Sequence, residues 1–222
     1  MSSIAKVFIL LLIQCTAVFE CVAHITDSKF TIDPEGTYIA SDNSFRIDQS
    51  KNKDYLFKMW ATDSITNYRT LLNRNEETRY MAGFRSTPNE KWLVRMQKTG
   101  AGWQTLFLYY KEGKHFKLAT KEPLGNLAWN YFNSLNLTNR AELCDHLTVN
   151  LIKGLEENYR WMGKNWPDSR YIVIGLSGNG EPGALPRTIV IGWRCVFDLQ
   201  TKQFSVPKDF KDNNLKALSS FH

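Results

Sequence analysis

Between Phe30 and Thr120 apolar and polar residues alternate in short runs. Turn-forming residues break them at Asp42-Asn43, Lys51-Asn52-Lys53, Pro88-Asn89, Gly100-Ala101-Gly102 and Gly113. Successive strand side chains point to opposite faces, so this pattern predicts an antiparallel meander. Its clearest strand is Lys91 to Gln97, where Trp92, Val94 and Met96 alternate with Leu93, Arg95 and Gln97, giving one apolar face and one mostly wet face. Trp103 to Tyr110 is apolar on both faces, as suits a central strand, and His115 to Ala119 alternates through Phe116 and Leu118. One interruption, Asp63 to Asn73, carries Ile65, Tyr68, Leu71 and Leu72 at helical spacing and predicts a short helix crossing the sheet.

The middle of the chain reads as helical. Pro123 to Leu135 places Leu124, Leu127, Ala128, Tyr131 and Leu135 close to an i, i+3, i+4 stripe, with Pro123 near a first-turn position. A second helix is predicted from Asn139, a cap followed by Glu142, through the stripe Leu143, Leu147, Leu151 and Leu155 to about Met162, with Gly163 to end it. Two strands close the chain, Arg170 to Gly175 and Thr188 to Leu199. The latter sets Ile189, Ile191, Trp193, Cys195 and Phe197 against Gly192, Arg194 and Asp198. A long loop from Leu176 to Pro186 joins them, and Phe204-Ser205-Val206 pairs back after a turn at Gln200-Thr201-Lys202. The expected fold class is α+β: an antiparallel β-meander packed with two or three helices, with a C-terminal hairpin returning to the sheet. No repeat or linker divides it, so residues 24–222 are expected to form one domain.

The N-terminus changes the setting. Lys6 precedes the apolar run Val7 to Ile13, and Cys21-Val22-Ala23 places small residues at the −3 and −1 positions of a cut before His24. This is signal-peptide grammar, and the run is shorter than the roughly 20 residues of a membrane-spanning helix. Residues 1–23 are expected to be removed, leaving a protein that is periplasmic or secreted and does not span the membrane. Cys144 and Cys195 then remain, and in an oxidising compartment a bridge between them is expected. Closing that loop of about 50 residues would stabilise the fold by about 4 kcal/mol in the chain-entropy description.

Composition excludes disorder: of 222 residues 43% are hydrophobic and 23% charged. The net charge of +6 is not spread evenly. Arg85, Lys91, Arg95, Lys98, Lys111, Lys114, Lys117 and Lys121 face only Glu90 and Glu112 within one stretch, and the rest of the chain is balanced. Alternation puts Lys91, Arg95 and Lys117 opposite the apolar positions, predicting one basic sheet face. Export removes nucleic acid as its partner and leaves an acidic protein or an anionic envelope polymer.

Candidate chemistry is sparse. Gly175-Leu176-Ser177-Gly178-Asn179-Gly180 follows a strand, but Asn179 stands where a nucleophile elbow needs glycine, and prolines rather than a helix follow, as a phosphate loop would not allow. The length of the loop makes it a binding element, with Ser177, Asn179 and Glu181 as contacts beside Arg95, Lys111, Lys114 and Lys117 on the basic face. Cys144, Asp145 and His146 diverge if helical and form no nucleophile–base pair. Glu76-Glu77 and Glu156-Glu157 read as solvated carboxylates, and no spacing of His, Cys or Asp indicates a metal or cofactor.

The stretch Trp193-Arg194-Cys195-Val196-Phe197-Asp198-Leu199-Gln200-Thr201-Lys202-Gln203-Phe204-Ser205-Val206-Pro207 resembles the closing β-hairpin of small Gram-negative periplasmic proteins, among them lysozyme inhibitors and immunity proteins against secreted effectors. The resemblance covers the hairpin and carries no functional residue with it. It implies a binding protein. The expected function is therefore an exported protein-binding domain of inhibitor or immunity type; the alternatives are an envelope hydrolase whose site converges only in three dimensions, and a carrier of an apolar ligand.

Overall fold

A computed structural model describes residues 37–74, 76–137, 143–151, 169–180 and 189–218, with backbone alone at 143–146 and 180. Across these residues the chain is mostly β, built as two sheets with two short helices, and the expected α+β arrangement of helices on one meander is not what forms. The predicted signal segment 1–23, residues 152–162 of the expected second helix, and Glu181 lie outside the described residues.

The first sheet is an antiparallel meander of β1 (Thr37–Ile39), β2 (Phe45–Lys51), β3 (Phe57–Asp63) and β4 (Arg69–Leu71). The second has eight strands: β5 (Ala82–Ser86), β6 (Trp92–Gly100), β7 (Trp103–Glu112), β8 (His115–Leu118), β9 (Leu143–Leu151), β10 (Tyr171–Gly180), β11 (Ile189–Asp198) and β12 (Gln203–Ser205). Its main path runs β12-β11-β10-β9-β7-β6-β5. β8 shares with β9 the same edge of β7, and β7–β9, joined at Gln104 and Thr148, is its parallel link.

Two apolar cores follow from this layering. Phe45, Ile47, Met59 and Ala61 of the first sheet pack on Phe84, Leu93, Phe107, Tyr109 and Phe116 of the second. Alternate residues of the same strands, Val94, Leu106 and Leu108, point the other way, where helix α1 (Leu124–Ser134) contributes Leu124, Ala128, Trp129 and Phe132 to a core completed by Ile172, Ile174, Trp193, Cys195 and Phe197. Strands β6 and β7 are therefore covered on both faces, and a strand buried twice cannot keep a wet side. Leu93, Arg95 and Gln97, expected on a wet face, are buried, the first two against the first sheet and Gln97 against Thr78 and Tyr80.

Three expected elements form differently. The helix expected over Asp63 to Asn73 is a tight turn entering β4. Asp63 accepts from the N–H of Thr66 (2.9 Å) and Asn67 takes a left-handed conformation (φ 56), so the chain reverses instead of coiling. The second expected helix is β9. Leu143, Leu147 and Leu151 lie four apart, but Leu147, Val149 and Leu151 also alternate, and the β-branched Thr148 and Val149 favour a strand over a helix. Pairing with the edge of β10 decides in favour of the strand, because it satisfies backbone groups that a helix would leave open. The expected loop from Leu176 is in part β10, which continues to Gly180. The hairpin return is present, with β12 pairing Val196 to Asp198 after the predicted turn.

The ladders also separate the two cysteines expected to bridge. Cys195 pairs with Ile174, which pairs with Leu151 on β9, whereas Leu143 pairs with Gly180 at the far end. About 20 Å of strand separates Cys144 from Leu151, far beyond the roughly 7 Å of Cα separation a disulfide tolerates. Cys195 is free and fully buried.

Side-chain amides finish strands that run out of partners. Asn73 Nδ2 donates to Phe57 O (2.8 Å) and its Oδ1 accepts from Met59 N–H (3.0 Å) along the edge of β3. Asn214, on helix α2 (Lys211–Ala217), does the same for Arg194 of β11 (2.7 and 2.8 Å), and Gln49 of β2 for Ala82 of β5 (2.8 and 2.9 Å). Each imitates a neighbouring strand and closes an edge that would otherwise recruit another chain.

Candidate functional site

Arg95, the centre of the expected basic face, is 0% exposed. Its guanidinium ion-pairs with Glu76, lies 3.9 Å from the Phe107 ring centroid and 5.9 Å from that of Tyr109, and donates to Met59 Sδ at 3.7 Å. It belongs to the packing between the sheets and presents nothing to a partner. Lys111 is also committed: its Nζ lies 3.6 Å from Asp63 Oδ2 and 5.3 Å from the Phe45 ring centroid. Lys114 and Lys117 remain at the surface, the first over Tyr68 (4.9 Å), the second paired with Glu112. Of the four expected basic contacts only Lys114 and Lys117, beside the β7–β8 turn, are exposed, because β6 and β7 are buried on the side where the charges were expected to be wet.

Ser177 and Asn179 sit within β10 rather than on a loop. Ser177 Oγ accepts the N–H of Gly192 (2.9 Å), where the β10–β11 register slips by one residue and Gly192 adopts φ 67. That bulge corrects the predicted face of β11: Trp193, Cys195 and Phe197 stay buried, but Ile191 turns out and is 54% exposed. Asn179 pairs with Ile189 and Asp145. β9 and β7 lie between β10 and β6, so the two sets of expected contacts are not brought together.

What the fold does assemble is a cleft of about 980 Å³ where the end of β6, the start of β7 and β9 meet the first turns of α1 and the segment 76–80. Gln97 and Thr99 come from β6, Trp103, Thr105 and Phe107 from β7, Asn126 and Trp129 from α1, and Leu147 and Val149 from β9. The β2–β3 turn adds Asp54, and the crossing from β4 to β5 adds Glu76, Glu77, Arg79 and Tyr80. Position follows from local structure. Between its bridge to β9 at Gln104 and its ladder with β8 from Tyr109, the edge of β7 is met by α1, not by a strand. A Cβ on Gly125 would overlap Thr105 Oγ1 and lie 3.0 Å from Leu106 N, so only glycine lets the helix approach this closely. Gln97 Nε2 donates to Thr78 Oγ1 (2.8 Å), Tyr80 O (3.2 Å) and Lys98 O (2.9 Å), which pins the acidic segment over the sheet.

The wall has an unusual polar inventory. Gln97 Oε1, Thr105 Oγ1 and Trp129 Nε1 are buried and have no hydrogen-bond partner among the described residues. Buried polar atoms are nearly always satisfied, and these three lie behind the cleft surface, out of reach of solvent. The rim carries Tyr80 and Trp103, each 38% exposed. Charge is mainly negative, with Asp54, Glu76 and Glu77 against Arg79, and the Glu76 carboxylate is held by Arg95. Among the described residues no cluster of three His, Cys, Asp or Glu could hold a metal ion.

Buried titratable groups elsewhere are inert. Burial pushes the Tyr109 phenol up, and its hydroxyl donates to Leu72 O (2.9 Å); burial likewise raises the Cys195 thiol and keeps it protonated. No helix among the described residues is long and apolar enough to cross a membrane.

No family model matches the chain, no curated protein matches it, and no solved structure matches it. The site therefore stands on its own geometry.

The cleft residues were present in the sequence without a signal that joined them. Glu76 and Glu77 read as solvated carboxylates, and Gln97 as one polar position on a half-wet strand. Trp129 fell within the expected helix but outside its apolar stripe. The available clue was Arg95 and Gln97 on a strand whose neighbour, Trp103 to Tyr110, is apolar on both faces: a strand beside a doubly buried one is itself buried, and its polar side chains then need partners.

Proposed function

We propose that the chain is an exported binding protein that holds a small polar ligand in the cleft between β6, β7, β9 and α1. The observation that carries this is one concavity of about 980 Å³ lined largely by polar side chains and rimmed by the exposed rings of Tyr80 and Trp103. The volume lies at the upper end of the roughly 300–1,000 Å³ typical of small-molecule sites. A hydrolase is less well supported, because the best placed carboxylate, Glu76, is committed to Arg95. Export is supported by the signal-peptide pattern of residues 1–23.

A thermal-shift screen of the mature chain against a polar metabolite library tests the reading. A ligand at about 100 times its Kd stabilises by about 2.7 kcal/mol, or roughly 5–11 °C for a chain this size. Stabilisation that survives Trp103→Ala unchanged would place the ligand elsewhere.

A second reading, docking of an acidic protein, is favoured by the groove between β4 and β8. It is lined by Arg69, Arg74 and Lys117 with Tyr68 and His115, and Lys114 lies beside it on Tyr68. Charge reversal at Lys114 and Lys117 should abolish capture of such a partner at low salt; unchanged capture would remove this reading.

A further inference from the structure

We infer that the groove between β4 and β8 takes an extended acidic segment of a partner protein as an added strand on the edge of β4, an inference that rests on the acidic-partner reading above. The ladders fix which way the backbone faces. Tyr68 O accepts from Asp63 N–H (2.9 Å) and Leu72 N–H donates to Met59 O (2.9 Å), so by alternation Arg69 and Leu71 turn their N–H and C=O groups away from β3. On β8, Ala119 N–H donates to Leu108 O (2.8 Å), which turns Phe116 and Leu118 away from β7. The two free edges face each other. Phe116 N–H reaches Thr70 Oγ1 at 3.5 Å, and among the described residues no backbone hydrogen bond joins β4 to β8. Asn73, Gln49 and Asn214 close other edges with side-chain amides, whereas no described side chain bonds the outward groups of Arg69 and Leu71. Main-chain groups left open along a strand are the template on which an extended peptide adds.

Charge selects the occupant. Arg69 and Arg74 line the groove and are exposed, Arg69 over the Trp60 ring (4.7 Å), and neither is ion-paired among the described residues. Lys114 lies beside them over Tyr68, while the nearby carboxylates are committed, Glu76 to Arg95, Asp63 to Lys111 and Glu112 to Lys117. A second copy of this chain adding through its own β4 would set Arg69 near Arg69 and meet repulsion. An acidic strand meets attraction instead. Arg69 and Leu71 share the outer face of the sheet with their partners Thr62 and Trp60, whereas Leu72, Tyr109 and Phe116 make an apolar floor. The added strand therefore alternates acidic with apolar residues. A sulfated or phosphorylated polymer has the charge but no N–H and C=O groups at the strand repeat to pair with β4.

Fluorescence anisotropy on the mature chain at low salt tests this with three labelled probes: a decapeptide alternating glutamate and valine, its fully N-methylated counterpart, and dextran sulfate. The decapeptide should bind. The N-methylated form keeps the charge and loses the N–H donors, so it should bind about tenfold more weakly or worse. Leu71→Pro deletes an outward N–H on an edge strand, where proline is tolerated, and should weaken the decapeptide by about tenfold. Arg69→Gln with Arg74→Gln should weaken it by a similar factor and flatten its salt dependence, with circular-dichroism melting to check that each variant folds. Equal binding of the two peptides with both sensitive to the arginines, or binding of dextran sulfate alone, would overturn strand addition and leave the basic groove standing. Loss with Leu118→Pro but not with Leu71→Pro would overturn β4 as the host strand. Decapeptide binding indifferent to the arginines and to Leu71→Pro, or binding of none of the three probes, would overturn the acidic-partner reading as well.

Discussion

Removing Glu76 tests whether Arg95 is packing rather than a docking residue. The Arg95 side chain is 0% exposed and that of Glu76 28% exposed, so the ion pair reaches water only on the carboxylate side. Glu76→Ala leaves a guanidinium between the sheets with aromatic faces and a thioether for company. Breaking one side of a buried pair costs about 3–5 kcal/mol, and partial hydration from the cleft argues for the lower end, about 3 kcal/mol. For a chain of this size that lowers Tm by about 6–12 °C. Arg95→Met should cost less, about 1 kcal/mol, because Glu76 left alone can hydrate and an unbranched apolar side chain fills the space. In the double variant the guanidinium is gone, so Arg95→Met should rescue Glu76→Ala, with a coupling of about 2–3 kcal/mol by urea denaturation. Additive costs, or a Glu76→Ala variant as stable as the parent, would show that the guanidinium reaches solvent, and the assignment of Arg95 to the interior would be wrong.

Gly125→Ala should destabilise by about 1–3 kcal/mol despite the better helix propensity of alanine, since the new methyl meets Thr105 and the backbone of Leu106; circular-dichroism melting reads this, and a stabilised variant would refute the close approach. Denatured but unreduced mature protein should titrate with two thiols, whereas native protein at pH 8 should leave Cys195 unreacted because burial raises its thiol above the usual range; no reactive thiol after denaturation would restore the bridge to Cys144. Acid should unfold the protein through Asp63 and Asp198. The Thr66 N–H holds Asp63 below the ordinary carboxylate value, with help from the Thr66 hydroxyl and Lys111. Burial raises Asp198, but Arg170 and the N–H groups of Gln200 and Thr201 outweigh it and leave it lowered. Depressed folded values mean stability that is present above about pH 4, the unfolded value, and lost as pH falls through the folded ones. Urea midpoints should drop across that window, and Asp63→Asn should flatten the slope.

Local patterns were legible wherever one physical requirement acted alone. The turn at Gly100 to Gly102, the helix after Pro123 and the hairpin from Val196 to Ser205 each form close to where residue type and spacing put them, because their partners are near in the chain. Leu143 to Leu151 was ambiguous in principle. Its leucines satisfy a period of four while Leu147, Val149 and Leu151 satisfy a period of two, and only the open edge of β10, over twenty residues away, selects the strand.

Alternation along β6 was correctly visible in the sequence: Val94 and Leu93 do point to opposite sides. The sequence by itself determined that periodicity, the reversals and the apolar surface to be buried. Whether the Arg95 side met water or another sheet depended on β2 and β3 folding over it, a contact between segments more than thirty residues apart. Tertiary structure also decided the cleft, since Gln97, Thr105 and Trp129 face it from three elements and none of them signals a ligand alone. The reason is physical: periodicity records only which way a side chain leaves the backbone, while burial, charge pairing and an unsatisfied hydrogen bond depend on what arrives on the other side.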